Sequence, residues 1–299
     1  MQNTIIFGKW GFLGRNLQLE GFCPSRKECD LLNYQSTVNY LYQFAQKQVK
    51  IINLAAKVAG AVYNKDHNLE MIYENSIISL NLIKAIDDLN INCYYLYLSS
   101  ICGYDNDNIM KEHRFFDGLP AINNFGYGVA KKLGILIAQS LQIDRPGFRF
   151  CSLIPTNMYG EYDRCSLASG HVIPSLFLKM MNKSNKKIDV LGNCSNLRNF
   201  LYAKDMGKVI EYVIDKELVG TYNVASDESI SIYNLANEIK KITKFEGELN
   251  FNYTDKVDSR YISNNKLRII LGQDWKFTSL EEGLKNTYKW MLERKNENK

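Results

Sequence analysis

The chain has 299 residues, of which 45% are hydrophobic and 23% charged, with a formal net charge of +5. A chain of this size and composition can bury a substantial core in one large or two modest domains, which excludes disordered and fibrous classes. The positive charges are scattered, apart from a short run at 183–187 and the carboxyl tail, and this distribution argues against a nucleic-acid-binding protein.

Strand and helix patterns alternate along the first half of the chain. Short apolar runs bounded by turn or polar residues predict buried strands at residues 4–7, 49–54, 93–98 and 149–154. Apolar residues at three- and four-residue intervals predict helices at 68–89 and 127–141. This alternation predicts an α/β fold with a Rossmann-type, doubly wound parallel sheet covered on both faces.

After Pro155 the alternation lapses. The patterns predict a loop at 160–170, helices at 173–181, 205–214, 231–242 and 279–293, and extended segments at 190–202 and 220–224. Neither a repeat nor a low-complexity linker separates the two halves, so a smaller α/β substrate domain is expected to be interleaved with the first. The expected division is 1–163 with 201–226 for the Rossmann domain, and 164–200 with 227–299 for the smaller one.

A glycine-rich turn lies between the first predicted strand and a helix start. In that context Gly8 would make the turn, Gly11 would let the backbone approach a pyrophosphate, and Gly14 would let the helix pack closely. We therefore predict a nicotinamide dinucleotide bound at this turn by Gly8, Gly11, Phe12, Leu13 and Gly14.

Residues near the expected end of the second strand bear on the type of cofactor. Ser25 and Arg26 would suit the 2′-phosphate of NADPH, whereas Glu28 and Asp30 could accept a hydrogen bond from a free ribose hydroxyl. The stretch from residue 14 to 26 is also short for a full helix and strand. We favour NADPH, with NADH as the alternative.

Tyr127 and Lys131 are four residues apart, on one face of a predicted helix. A phenol beside an ammonium can protonate a carbonyl oxygen, because the cation is expected to lower the pKa of the phenol. Tyr212 and Lys216 repeat this spacing in a predicted surface helix, so the spacing alone does not identify a site. A Ser-rich segment at the end of the third strand supports Tyr127 and Lys131 as a site, because ligands bind at that edge of the sheet.

These motifs together resemble the extended short-chain dehydrogenase/reductase family. The matching elements are the glycine turn, Asn53-Leu-Ala-Ala56, a Ser with Tyr four residues on, and Tyr-x-x-x-Lys. Finer matches resemble the GDP-L-fucose synthase branch over nearly the whole chain, at Ala55–Gly60, Asn75, Pro155–Gly160, His171–Pro174, Leu197–Leu201 and Ser279–Leu284.

The resemblance implies reduction of the C4 ketone of a GDP-4-keto sugar. It implies that Ser100 polarises the carbonyl, that Tyr127 protonates its oxygen and that Lys131 holds the nicotinamide ribose; counting back from Tyr104 selects Ser100 over Ser99. Cofactor contacts are implied for Asn53, Ala55, Ala56, Pro155 and Asn157. Substrate contacts are implied for Lys57, Asn75, Arg164, Arg198 and Arg260.

Cys102 and His171 match the pair that exchanges protons at C3 and C5 in this branch. A thiolate base and an imidazole acid could invert these centres, because the neighbouring ketone acidifies their protons. The structural alternatives are that Cys102 is a small buried apolar side chain and that His171 forms a hydrogen bond at the start of a helix.

Two departures from the family pattern leave the sugar open. Glu161 stands where the family has a proline, and Arg164 where it has a pocket asparagine, which changes size, charge and donor pattern. A C4 reductase of a GDP-4-keto-heptose or 6-deoxy-heptose without epimerase activity is therefore a rival. A nucleotide-sugar 4-epimerase or dehydratase with tightly bound NAD is a second rival, and a non-catalytic nucleotide sensor is a third.

The remaining expectations concern partners and location. Seven cysteines without a Cys-x-x-Cys pair fit a reducing cytoplasm. We expect no signal peptide, membrane span or metal, because the sequence shows neither a long apolar run nor a ligand cluster. In the family the helices predicted at 68–89 and 127–141 commonly pair across a two-fold axis, so the resemblance implies a homodimer.

Overall fold

The computed structural model describes residues 3–105, 109–166, 170–253 and 259–297. In these ranges the strands are β1 (Thr4–Phe7), β2 (Gln48–Asn53), β3 (Asn92–Leu98), β4 (Ile109–Met110), β5 (Arg149–Pro155), β6 (Asn157–Tyr159), β7 (Lys187–Val190), β8 (Leu197–Tyr202), β9 (Gly220–Val224), β10 (Ser229–Ser231), β11 (Glu248–Phe251) and β12 (Tyr261–Ile262). The α-helices are α1 (Phe12–Arg15), α2 (Tyr34–Leu41), α3 (Ala61–Asp66), α4 (Asn68–Asp88), α5 (Phe125–Asp144), α6 (Val172–Met181), α7 (Ala203–Lys216), α8 (Ile232–Thr243), α9 (Asn265–Leu271) and α10 (Leu280–Glu297).

A parallel sheet in the order β1-β2-β3-β5-β9 forms the centre of the larger unit. Side chains alternate between its two faces, so that Ile5 and Ile51 face one apolar cluster while Ile6 and Ile52 face another. Helices α2, α4 and α5 bury the first face, and α1, α7 and α9 bury the second. The predicted doubly wound, Rossmann-type sheet is confirmed.

A third apolar cluster forms the core of the smaller unit. It joins α6, α8 and α10 to a three-stranded sheet of order β10-β8-β6 and to the parallel pair β7 and β11. β8 runs directly into α7, which covers the central sheet, so the chain passes between the units without a linker. The predicted interleaving of a smaller α/β unit is confirmed.

The extended segment predicted at 190–202 differs from the structure, whereas the amino-terminal segment is as short as the sequence indicates. The stretch predicted as extended from 190 to 202 is divided, because β7 ends at Val190 and the chain turns at Gly192, whose φ is +89°, before β8 begins. Near the amino terminus α1 has only four residues, and Phe22 makes an isolated parallel bridge to Ile5 in place of a full strand. The short sequence between Gly14 and Arg26 leaves no room for more.

Candidate active site

The glycine turn connects β1 to α1 and is shaped by three close approaches. Gly8 has a φ of +83°, and a Cβ there would lie 2.8 Å from the backbone nitrogen of Ala55, just beyond β2. A Cβ at Gly14 would lie 2.4 Å from the carbonyl oxygens of Gly8 and Lys9. Only glycine allows the helix to start this close to the strand, which agrees with the roles expected for Gly8 and Gly14.

Gly11 gives the turn an open surface. A Cβ at this position would meet, within 4 Å, only the Gly8 carbonyl oxygen at 3.3 Å, and Gly11 itself is exposed. Its backbone N–H bonds to Gly8 at 3.0 Å, and Phe12, the first residue of α1, is half-buried beside it while Leu13 packs into the core. The turn therefore presents bare backbone at a helix start, which fits the pyrophosphate of a dinucleotide.

The ends of β2 and β5 lie at the same carboxyl edge of the sheet as the glycine turn. The buried Asn53 amide donates to Tyr95 at 2.9 Å and accepts from the Ala55 N–H at 3.2 Å, which shapes the loop carrying Ala55 and Ala56. Beyond Pro155, the last residue of β5, Asn157 donates to the Asn199 carbonyl at 2.9 Å. These contacts hold the predicted cofactor-binding loops in place.

Ser25 and Arg26 follow the bridge at Phe22. The Ser25 hydroxyl and N–H both donate to the Glu28 carboxylate at 2.7 Å, and Arg26 pairs with Asp30 at 3.3 Å with its side chain 73% exposed. The groups that were expected to favour opposite cofactors are thus paired with each other. Arg26 is exposed enough to exchange this partner for a phosphate.

Ser100, Tyr127 and Lys131 meet between the end of β3 and α5. Ser100 caps the short turn after β3: its hydroxyl accepts from the Cys102 N–H at 3.2 Å, and it acts to lower the pKa of the neighbouring Tyr127. Lys131, one turn along α5, is 3% exposed; its Nζ donates to the Leu98 carbonyl at 2.8 Å and lies 5.7 Å from the centre of the Tyr127 ring. Ser99 is different, because its hydroxyl donates to the Lys131 carbonyl.

The expected direction of the Tyr127 pKa shift is wrong for this arrangement. Burial raises the pKa of Tyr127, and the neighbouring Cys102 and Tyr97 raise it further, while the Ser100 hydrogen bond opposes them. Burial also lowers the pKa of Lys131 to about 7, so the lysine is a poor source of positive charge. The phenol therefore keeps its proton, which suits a proton donor.

A buried lysine of this kind costs stability, and replacing Lys131 by Met is expected to stabilise the protein while abolishing reduction. The cost is at most about 5 kcal/mol, since each pKa unit of depression corresponds to about 1.4 kcal/mol. Because the pKa falls from 10.5 to about 7, the advantage of the variant is full below pH 7 and shrinks as pH rises toward 10.5.

Urea unfolding of the protein without added cofactor, at several pH values, measures this effect. Lys216→Met is the matched control, since that side chain is 55% exposed and should change stability little. A Lys131→Met variant less stable than the parent at pH 6 would contradict the account.

Cys102 lies two residues past Ser100, at the same strand end. Burial raises the pKa of the Cys102 thiol, while the Ser100 hydrogen bond and the positive charge of Arg260 lower it. The structure thus brings Arg260, predicted to bind substrate, within electrostatic range of the thiol. The backbone N–H of Arg260 donates to the Leu197 carbonyl at 3.3 Å.

His171 is the N-cap of α6 and faces an acidic residue that was not singled out from the sequence. Its Nδ1 lies 3.2 Å from Oδ1 of Asp163, whose side chain is 3% exposed. The hydrogen bond to this carboxylate raises the pKa of His171 above its ordinary value, against the effect of burial. No motif spacing marks the pair, because it joins a loop to a helix start.

The residues predicted to bind substrate fall into two groups. Asn75 and Lys57 lie beside β2, where the Asn75 amide binds both the N–H and the carbonyl of Lys57, at 3.0 and 3.2 Å. The Lys57 ammonium pairs with Glu70 and Glu74, which raises its pKa to about 12. Asn75 therefore holds the loop after β2.

The other predicted substrate residues lie in the smaller unit. Arg198 is half-buried on β8, where its guanidinium donates to the Leu197 carbonyl at 2.9 Å. Arg164 is exposed, and its N–H donates to Asp163 at 2.7 Å. Within the described ranges, no three His, Cys, Asp or Glu side chains are grouped so that they could hold a metal ion, and no helix is long and apolar enough to cross a membrane.

The sheet order, the glycine turn, Ser100 after β3, and Tyr127 and Lys131 on α5 together define a fold of the extended short-chain dehydrogenase/reductase class. The chain belongs to the NAD dependent epimerase/dehydratase family, which matches residues 5–225.

The chain is similar in sequence to a GDP-L-fucose synthase and similar in structure to two solved nucleotide-sugar enzymes. GDP-L-fucose synthase of Dictyostelium discoideum is 30% identical over 89% of this chain and 84% of its own length. The structure of MlghC, a GDP-mannoheptose C4 reductase from Campylobacter jejuni with NADP bound, has a TM-score of 0.83 at 23% identity, covering 97% of this chain and 98% of that one. A GDP-L-fucose synthetase from Naegleria fowleri bound to NADP gives 0.85 at 21% identity, covering 99% and 95%. This chain thus shares its fold with each of these two structures over nearly their whole length.

Proposed function

We propose that the protein reduces the C4 ketone of a GDP-4-keto sugar with NADPH. The observation that carries this proposal is the grouping of Ser100, Tyr127 and a buried Lys131 at the sheet edge that carries the glycine turn. Relatives named GDP-L-fucose synthase and GDP-mannoheptose C4 reductase support the GDP-sugar substrate. Arg198 is proposed to pair with the nucleotide diphosphate.

The proposed chemistry assigns one role to each side chain. Bound nicotinamide supplies the hydride that adds to C4. Ser100 donates a hydrogen bond to the ketone oxygen, and Tyr127 transfers its phenolic proton to that oxygen as negative charge develops there. The Lys131 ammonium lies 5.7 Å from the centre of the Tyr127 ring, and at a pKa of about 7 it can return a proton to the phenolate left behind. Catalysis therefore needs all three side chains in one arrangement.

A second candidate is a C4 reductase that leaves C3 and C5 unchanged. The raised pKa of the Cys102 thiol favours it, because a thiol is a poor base for removing a carbon-bound proton. The departures at Glu161 and Arg164 also allow a larger sugar, such as a GDP-4-keto-heptose. The alternative is a GDP-L-fucose-synthase-like enzyme that also epimerises the sugar, in which Cys102 and His171 exchange protons at C3 and C5 before reduction.

One incubation distinguishes these candidates. The protein is mixed with NADPH and GDP-4-keto-6-deoxymannose in D₂O, and both NADPH oxidation and deuterium at C3 and C5 are followed. Oxidation with deuterium at both carbons would establish an epimerase and reductase; oxidation without deuterium would establish a C4 reductase. If NADPH were not consumed with this sugar or a GDP-4-keto-heptose, the proposal would fail, and a 4-epimerase or dehydratase with retained NAD would become the better account.

We propose NADPH as the cofactor because the Arg26 side chain is exposed and pairs with Asp30 at 3.3 Å, a partner that it can exchange for a phosphate. Replacing Arg26 by Ala is expected to raise the KM for NADPH about tenfold, since a charge-assisted contact to phosphate contributes roughly 1.5 kcal/mol. The KM for NADH should stay the same. Steady-state kinetics with both cofactors measures this, and equal effects on the two would exclude a 2′-phosphate contact.

We propose a homodimer formed through α4 and α5. Leu69, Tyr73 and Leu80 are spaced so that they share one face of α4, and they are 81%, 64% and 41% exposed. Leu136 and Ile143 lie two turns apart on α5, 44% and 78% exposed. Apolar side chains grouped on two packed helices favour association.

A further inference from the structure

Two neighbouring buried carboxylates in the loop after β6 point to different partners. Glu161 accepts from the Tyr202 hydroxyl at 2.7 Å and from Lys204 at 2.6 Å, whereas Asp163 faces His171. Between them, Tyr162 has a φ of +67°, in the left-handed region that a large side chain rarely adopts. The loop is therefore held in a conformation in which the two carboxylates reach different partners.

Contacts on both sides hold Tyr162 in this conformation. Its ring packs against Trp290 with 5.3 Å between ring centres, and the Arg15 guanidinium lies 5.4 Å from its centre. The Asp163 N–H donates to Gly160 at 3.4 Å, closing the turn. Such backbone strain, about 1 kcal/mol or more, persists only where the surroundings determine it.

We propose that Asp163 is a positioning residue that orients the His171 ring and fixes which of its nitrogens carries the reactive proton. This inference rests on the proposed function at C3 and C5. Both Asp163 oxygens lie near Nδ1, at 3.2 and 3.4 Å, so that Nδ1 donates to the carboxylate and Nε2 is left for the substrate. His171 is 39% exposed while Asp163 is 3% exposed, so the acceptor is buried and the imidazole reaches the open side.

Among the charged groups near the His171 ring, Asp163 determines the direction of its pKa shift. Of the groups that the structure describes, Asp163 is the charged one acting on the titration of His171. The nearby Cys165 thiol is influenced by Asp163 and by Arg294, and Arg164 contacts the Asp163 carboxylate through its backbone N–H. The buried anion raises the pKa of His171, so the imidazolium persists to higher pH.

The imidazolium form is the one that the proposed step requires. After a base has removed the carbon-bound proton, the enolate electron pair forms a new C–H bond with the Nε2 proton of His171. The N–H bond breaks, the ketone is restored and the neutral imidazole regains a proton from water. Asp163 touches no reacting atom in this step and acts through the ring that it holds.

Asp163→Asn tests the proposal with a readout that does not depend on turnover. The chain has three histidines, so NMR titration with His171→Gln for assignment isolates the His171 signal. We expect the His171 pKa to fall by about one unit in Asp163→Asn, as is typical for loss of an adjacent opposite charge. Deuterium incorporation at the carbon that His171 protonates should fall about tenfold, while C4 reduction is retained. As pH is raised, this exchange should be lost at a lower pH in the variant than in the parent. Asp163→Glu should restore part of the exchange.

Asp205→Asn is the matched control, because Asp205 is also buried and accepts from Thr278 at 2.6 Å, away from His171. It should leave the His171 titration unchanged. An unchanged His171 pKa in Asp163→Asn would overturn the proposal, as would an equal shift of all three histidines. If the parent protein exchanges no deuterium, the epimerase function fails, and the titration still decides whether Asp163 controls His171.

Discussion

Replacing Tyr127 by Phe is expected to lower kcat for C4 reduction by about 10²- to 10⁴-fold, the usual contribution of a positioned proton donor. The variant keeps the ring, whose centre lies 5.7 Å from the Lys131 ammonium, and loses only the phenolic hydroxyl. Binding of NADPH, followed by fluorescence titration, should be unchanged, because the glycine turn is not altered. The effect therefore isolates proton transfer.

Tyr212→Phe provides the control for this prediction. Tyr212 stands four residues before Lys216, the same spacing as the proposed catalytic pair, yet its hydroxyl donates to the Ile270 carbonyl at 3.1 Å on α9. Its loss should cost about 1 kcal/mol of stability and no turnover. If Tyr127→Phe kept the parental kcat while Tyr212→Phe lowered it, the assigned proton donor would be wrong.

Gly14→Ala is expected to lower the free energy of unfolding by about 3 kcal/mol and to abolish cofactor binding. A Cβ at Gly14 would lie 2.4 Å from two backbone oxygens, and backbone cannot move aside as the end of a flexible side chain can. The junction of β1 and α1 would have to separate, which removes the surface proposed for the pyrophosphate. Urea unfolding and NADPH titration measure the two effects.

Two further alanine variants separate folding from binding. Gly147 lies in a surface turn where a Cβ would meet nothing within 4 Å. Gly147→Ala should therefore leave both the free energy of unfolding and NADPH binding unchanged. At Gly11 a Cβ would be 3.3 Å from one oxygen, so Gly11→Ala should fold normally and still bind NADPH poorly. Normal NADPH affinity in Gly14→Ala would show that the cofactor binds elsewhere.

Elements with a strong periodic pattern could be predicted closely from the sequence. The helix predicted at 68–89 is Asn68–Asp88, and the strand predicted at 93–98 is Asn92–Leu98. The amino-terminal helix ends after one turn, as the short sequence before Arg26 requires. The fold adds a contact that the sequence does not show, because the amide of Asn16 donates to the carbonyls of Phe12 and Glu161.

In the site, too, sequence spacing predicts which element carries a residue, whereas the surroundings of that residue depend on the fold. The spacing of Tyr127 and Lys131 placed both on α5, but their pKa shifts follow from burial, which the spacing does not contain. Asp163 was overlooked because its contact with His171 depends on the left-handed conformation of Tyr162 and the start of α6. Residue identity indicated the chemistry, whereas the environment of each group required the fold.

The central claim is that hydride passes from NADPH to C4 of a GDP-4-keto sugar at this site. The most direct test uses NADPH carrying deuterium at the transferable position of the nicotinamide, with GDP-4-keto-6-deoxymannose and a GDP-4-keto-heptose as substrates. The account predicts one deuterium at C4 of the product for each NADPH oxidised, and none with Tyr127→Phe. A product formed without deuterium at C4, or no oxidation with either sugar, would contradict it.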